Sequence, residues 1–173
     1  MGEKPLAELV TAANANLTDP DRNRIIDTNY GASYGTDRFE LYHFALSLCS
    51  HKVRTVLAEK EIGYHSHDIG ILPPQMENYQ PDYVRLRLRG GHGKRMVDGY
   101  TGRSSTATEG FDPCVVPTLV DHQADRVLVD SKSSCGYLNQ QANGIDLLPA
   151  RLHKEIERQS EIVDRTPHVA VLY

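Results

Sequence analysis

The chain predicts an α/β domain with the element order βαβαββα, followed by the start of a helical region. Three observations carry that expectation. Phe39–Phe44 is an aromatic and apolar run suited to a half-buried strand, and after Cys49 the apolar spacing changes to the i, i+3, i+4 rhythm of a helix. A strand pattern resumes at Tyr64, at a separation that suits a crossover between two parallel strands. Val115–Val120 and Arg126–Val129, separated by the polar turn Asp121–Asp125, then read as a hairpin that feeds a helix capped by Asp130 and Ser131.

Length and composition bound what such a domain can do. The 173 residues are enough for one good core, or one small domain with appendages. A net charge of −4 gives no electrostatic reason to bind nucleic acid. Three cysteines, an odd number with no repeating spacing, argue against a secreted disulfide framework. No apolar run is long enough to span a bilayer and no signal-like segment follows Met1, so no membrane contact and a cytoplasmic location are expected.

Taken in order, residues 1–38 form an arm read as mostly irregular, in which Leu6, Leu9 and Val10 outline a short amphipathic helix before turn-rich, polar sequence. Residues 39–144 carry the α/β pattern. Val53, Val56 and Leu57 mark the apolar face of the first helix, and Gly63 stops it. His65 and His67 share one face of the following strand. Without a third ligand at matching spacing, that face reads as solvated rather than as a metal site. After Pro73-Pro74, the residues Tyr79, Tyr83, Leu86 and Leu88 outline a second helix, with Arg85, Arg87 and Arg89 assigned to its polar sides.

Periodicity is lost over 90–110, which reads as an insertion. Gly93-Lys94 fails as a phosphate loop, since Arg95 stands where a Ser or Thr is needed. Pro117 lies inside the next apolar run, which demotes the beginning of that strand to an edge or an irregular start. The last helix of the domain is expected to run to about Gln141 and to end at Asn143-Gly144. Residues 145–173 then read as a linker, Leu147-Leu148-Pro149, and a charged amphipathic helix with Leu152, Ile156 and Val163 on one side, before an apolar end at Val169–Tyr173.

The chemistry-bearing residue is Cys49. A thiol between a strand and a helix is often a small buried hydrophobe. Here it falls at the helix start, where unpaired N–H groups favour a thiolate, and Lys52 and Arg54 add positive charge in the first turns. Ser47 and Ser50 flank it, and no bulky apolar residue follows to bury the sulfur. Lys52 occupies the resolving position of a Cys-x-x-Cys pair, so resolution needs an external thiol.

The element order, the thiol at the first helix start, Val116-Pro117-Thr118-Leu119 and Asp130-Ser131 together resemble the thioredoxin-like N-terminal domain of glutathione transferases. Ser47-Leu48-Cys49-Ser50, Leu72-Pro73-Pro74-Gln75, Tyr83–Arg89 and the insertion before Phe111-Asp112-Pro113 look most like the chlorinated-hydroquinone reductive dehalogenases of that superfamily. The resemblance implies a thioredoxin-like glutathione-transferase N-terminal domain plus the start of an all-helical C-terminal domain, represented by its first helix. It implies that Cys49 is the catalytic cysteine and Ser47 the nearby active-site serine. It implies that Pro117 is cis, that Val116 bonds glutathione through its backbone, and that Asp130 and Ser131 hold the γ-glutamyl end. Glutathione is then the co-substrate, a chlorinated hydroquinone the substrate, a homodimer the expected assembly, and no metal is needed. Ser134, where the family has a large apolar residue, and Gly136 inside the helix depart from its pattern. Two other readings stand beside this one: a monothiol glutathione-dependent thioltransferase, and a non-catalytic binding module of the same fold.

Overall fold

The computed structural model describes residues 4–17, 23–26, 36–98, 110–141 and 144–165. The expected apolar end at Val169–Tyr173, the middle of the insertion and Asn143 lie outside them. The elements are α1 (Leu6–Ala15), β1 (Asn23–Ile26), β2 (Phe39–His43), α2 (Leu48–Glu59), β3 (Tyr64–Asp68), α3 (Pro81–Gly91), β4 (Thr118–Asp121), β5 (Arg126–Leu128), α4 (Ser131–Gln141) and α5 (His153–Arg165). From β2 to α4 the order is βαβαββα, as the sequence pattern predicts.

The strands form one five-stranded sheet in the order β1-β3-β2-β4-β5. β2 and β3 are parallel, with Tyr42 opposite His67, and the remaining pairs are antiparallel. Alternation along β2 sends Phe39 and Leu41 to one face and Glu40 and Tyr42 to the other. On the first face they meet Val53 and Leu57 of α2, Leu119 of β4 and Leu138 of α4, all fully buried. On the second face Tyr42 meets Leu6, Leu9, Val10 and Ala13 of α1 and Tyr83 and Leu86 of α3.

The arm therefore contributes more than surface. α1 has the apolar spacing expected of it and buries that stripe in the core, and β1 extends the sheet beyond β3, an element without a clear sequence signal. The insertion also begins later than expected. α3 runs through Gly90 and Gly91 because it lies so close to β5 that a Cβ on Gly90 would sit 2.7 Å from the Val127 carbonyl, while one on Gly91 would collide with the Phe111 ring. Phe111 closes the insertion by a parallel bridge to Met96.

Two polarity assignments are corrected. Arg87 is fully buried rather than on a polar side of α3, since its i, i+4 spacing from Tyr83 puts it on the core stripe, whereas Leu88 is 45% exposed. His67 is buried rather than solvated. It faces Glu40, whose carboxylate takes Nε2 of His67 at 2.7 Å, Nε2 of His122 at 2.8 Å and Nδ2 of Asn14 from α1 at 3.2 Å. Burial pushes the Glu40 carboxyl up, but those hydrogen bonds outweigh it and hold it well below the usual range. The same bond to Glu40 raises His122.

Candidate active site

Strand directions decide which loops meet. β2 and β3 both end, at His43 and Asp68, on the same edge of the sheet, because they are parallel and those two residues are partners. β4 runs the other way and pairs Thr118 with Tyr42, so Val116 and Pro117 enter at that edge. β5 turns back and pairs Leu128 with Leu119, so Asp130 and Ser131 leave there as well. The start of α2, the segment before β4 and the start of α4 thus share one end of the sheet. Ligands of α/β folds gather at such an end, beyond the carboxyl ends of parallel strands.

Each segment is held by a specific device. Ser47 is the N-cap of α2 and its hydroxyl accepts from the N–H of Ser50 at 3.3 Å. The Ser50 hydroxyl accepts from the N–H of Phe44 at 3.2 Å, and an Asp68 carboxylate oxygen accepts from that of Ala45 at 3.0 Å. The turn leading into the helix is fixed at both ends. Cys49 sits in the first turn, half-buried, beside the N–H groups that the helix ladder leaves unused. One of the cations expected to act on it is otherwise engaged. Lys52 pairs with Asp164 of α5 at 2.7 Å.

The other two thiols have different surroundings. Burial in α4 pushes the Cys135 thiol up to about 11, and burial also raises that of Cys114. At neutral pH both stay protonated and are poor nucleophiles.

The Val116-Pro117 peptide is cis. Three buried side chains from the α3 region hold the carbonyls around it. The Asn78 amide donates to Cys114 O at 2.7 Å, the Tyr83 hydroxyl to Val115 O at 2.7 Å, and the Arg87 guanidinium to Pro117 O at 2.8 Å. The peptide groups of Val116 itself take no hydrogen bond among the described residues. Its N–H and C=O are an open strand edge, suited to pairing with an extended peptide.

Asp130 caps α4, its Oδ1 accepting from the N–H of Ser133 at 2.8 Å. Ser131, the first residue of the helix, is buried beside it. A helix start with a hydroxyl is suited to an anion such as a carboxylate. The two departures in α4 are also accommodated. The Ser134 hydroxyl donates to Asp130 O at 2.8 Å, and a Cβ on Gly136 would point into open space.

All six site residues read from the sequence therefore lie at one sheet end, with Ser47 acting structurally as the cap that shapes the Cys49 turn. Asn78, Tyr83 and Arg87 were not legible as site residues. Only the placement of Tyr83 and Arg87 on the same helical stripe could have pointed to them.

A family model described as the N-terminal domain of glutathione S-transferase matches residues 46–141. Two curated relatives, each named 2,5-dichlorohydroquinone reductive dechlorinase, come from Sphingobium indicum strains B90A and UT26. Both are 46% identical over 176 residues, covering 100% of this chain and 51% of the relative. The chain spans about half the length of the curated relatives it matches. Glutathione transferase F2 from Populus trichocarpa superposes with a TM-score of 0.51 at 17% identity, over 74% of this chain and 49% of that one, a likeness of fold. With the family model covering more than half of its residues, the chain belongs to the glutathione S-transferase N-terminal domain family.

Proposed function

We propose that this chain carries the glutathione-binding and thiol chemistry of a reductive dehalogenase acting on chlorinated hydroquinones. The observation that carries the reading is the convergence of Cys49, the open Val116 peptide and the start of α4 at one end of the sheet. The 46% identity to relatives named for that reaction supports the substrate class. The division into an arm (1–38), a glutathione-binding domain (39–144) and the opening of a helical domain (145–173) belongs to the same reading. So do a homodimer, which rests on the resemblance, and a cytoplasmic location, which rests on the reading of composition and cysteine usage.

In this reading Val116 pairs its N–H and C=O with the backbone of the tripeptide, as a strand edge pairs with an extended peptide. Asp130 and Ser131 receive the γ-glutamyl end, its carboxylate lying against the free N–H groups of α4. A first glutathione displaces chloride from the quinoid tautomer of the ring, forming a carbon–sulfur bond and releasing HCl. The Cys49 thiolate then attacks the sulfur of the conjugate. The carbon–sulfur bond breaks, its electron pair stays on the ring carbon and takes up a proton, and Cys49 is left as a mixed disulfide with glutathione. A second glutathione thiolate attacks that disulfide, freeing Cys49 and releasing oxidised glutathione. One chlorine is removed for two glutathiones oxidised.

Cys49→Ser tests the division of labour. The first stage uses glutathione's own sulfur and is expected to survive, whereas a neutral hydroxyl cannot accept the sulfur at a useful rate. The mutant is expected to consume 2,5-dichlorohydroquinone and to accumulate the glutathionyl conjugate, read by mass spectrometry of the products. Normal yields of dechlorinated ring from the mutant would remove Cys49 from the mechanism. Reduction of glutathione mixed disulfides by the wild-type protein without chloride release would replace the reading with a thioltransferase.

A further inference from the structure

Arg87 is a fully buried cation on α3, and among the described residues it forms no ion pair. Its acceptors are neutral oxygens. Nη1 donates to Pro117 O at 2.8 Å and to the Thr118 hydroxyl at 2.7 Å, and Nη2 donates to Asp112 O at 2.9 Å and to Val129 O at 3.2 Å. Among the described residues Nε has no partner, and the Phe111 ring lies 5.7 Å from the guanidinium carbon.

For stability alone this is a poor choice. Removing a charge from water is costly, and well-packed apolar side chains of similar volume serve a core as well or better. What the guanidinium does, and an apolar chain cannot, is bridge. Pro117 O belongs to the peptide group immediately after Val116, and Val129 O lies in the peptide that delivers Asp130. One rigid, planar group therefore spans two loops that are joined in sequence only through the β4–β5 hairpin.

We propose that Arg87 is a positioning residue for the glutathione site, its buried fork setting the spacing between the Val116-Pro117 segment and the start of α4. The inference rests on the reading of those two segments as the backbone-pairing and γ-glutamyl-binding parts of one site. Arg87 does not touch the tripeptide. It acts through the two carbonyls, fixing the backbone on the far side of Val116 while Tyr83 and Asn78 hold the carbonyls on the preceding side. A lysine keeps the charge but presents one compact ammonium in place of a planar fork, so it cannot reproduce both bridges at once.

The test compares wild type with Arg87→Lys and Arg87→Met in the full chain, each first checked for folding by circular dichroism. Two quantities are read: amide hydrogen exchange at Val116, Ser131 and Leu57, and the glutathione dissociation constant by calorimetry. In Arg87→Lys, exchange at Val116 and Ser131 is expected to rise about tenfold while Leu57, on the far face of the sheet, is unchanged. The glutathione dissociation constant is expected to rise by about tenfold as well, the scale of a lost charge-assisted hydrogen bond.

In turnover, KM for glutathione should rise with kcat at saturating glutathione changed by less than about twofold, the signature of lost binding rather than lost chemistry. Equal acceleration at Leu57 would show a general loss of stability and overturn the positioning role. So would unchanged exchange at Val116 and Ser131, or unchanged glutathione affinity in a variant whose two loops have loosened. If wild type binds no glutathione but the two loops loosen as described, the bridge stands and the functional reading fails. Should Arg87→Met not fold, the lysine variant alone decides.

Discussion

The two faces of the sheet are built by different means. Under α2 and α4 the centre is apolar, filled by Phe39, Leu41, Val53, Leu57, Leu119 and Leu138, and one buried carboxylate, Asp121, is held there by Arg38 and by the Tyr137 hydroxyl of α4. Under α1 and α3 a larger apolar cluster encloses more charge, with the Glu40 carboxylate among His67, His122 and Asn14 and the Arg87 guanidinium among carbonyls. The first face carries the helix that presents Cys49, and around Phe39, Leu41, Val53 and Leu57 it is set by volume and shape. The polar face holds backbone in place, because a directional bond fixes a loop where a methyl contact does not. The difference locates adaptability around Leu57 on the first face and specification around Glu40 and Arg87 on the second.

The largest effect is expected from breaking the second face. Glu40→Ala leaves the groups around it without their acceptor and is expected to cost about 3–5 kcal/mol, read from urea unfolding. Its cost should also depend on pH. The folded pKa of Glu40 lies below its ordinary 4.5, so its contribution is present above that value and lost as pH falls through the depressed one. The folded pKa of His122 lies above its ordinary 6.5, so its contribution is present below that value and lost as pH rises through the raised one. The difference between wild type and mutant should be widest between 4.5 and 6.5 and narrow on either side.

Leu57→Ala, on the first face, should cost about 2–5 kcal/mol by leaving a cavity, and that cost should be flat across the same pH range. If the two pH profiles proved alike, the contrast between the faces would be lost. The smallest effect has the opposite sign. Gly136→Ala places a methyl group in open space on α4 and should stabilise by about 1 kcal/mol, raising Tm by about 2–4 °C.

These contrasts also explain what could be read from the sequence. The apolar face was legible because volume follows periodicity: Val53 and Leu57 in α2, Phe39 and Leu41 in β2. Chain order gave the hairpin and the helix capped by Asp130 and Ser131, while the joining of Cys49, Val116 and Ser131 into one site came from the family resemblance. The polar face was not legible, since its partners lie far apart in the chain. Nothing near Glu40 announces Asn14 or His122, and Arg87 sits in a run of alternating arginines whose neighbours do reach the surface. The edge strand β1 was hidden for a similar reason, as four residues in polar sequence carry little pattern.

Three segments that form one glutathione site should respond to glutathione together, and amide shifts during a titration test that directly. The N–H signals of Cys49, Val116 and Ser131 are expected to move together and to fit a common dissociation constant, with residues around Glu40 unmoved. Shifts centred on the Glu40 side, or the absence of any saturable change at Val116 and Ser131, would contradict the assembly of the site at that end of the sheet.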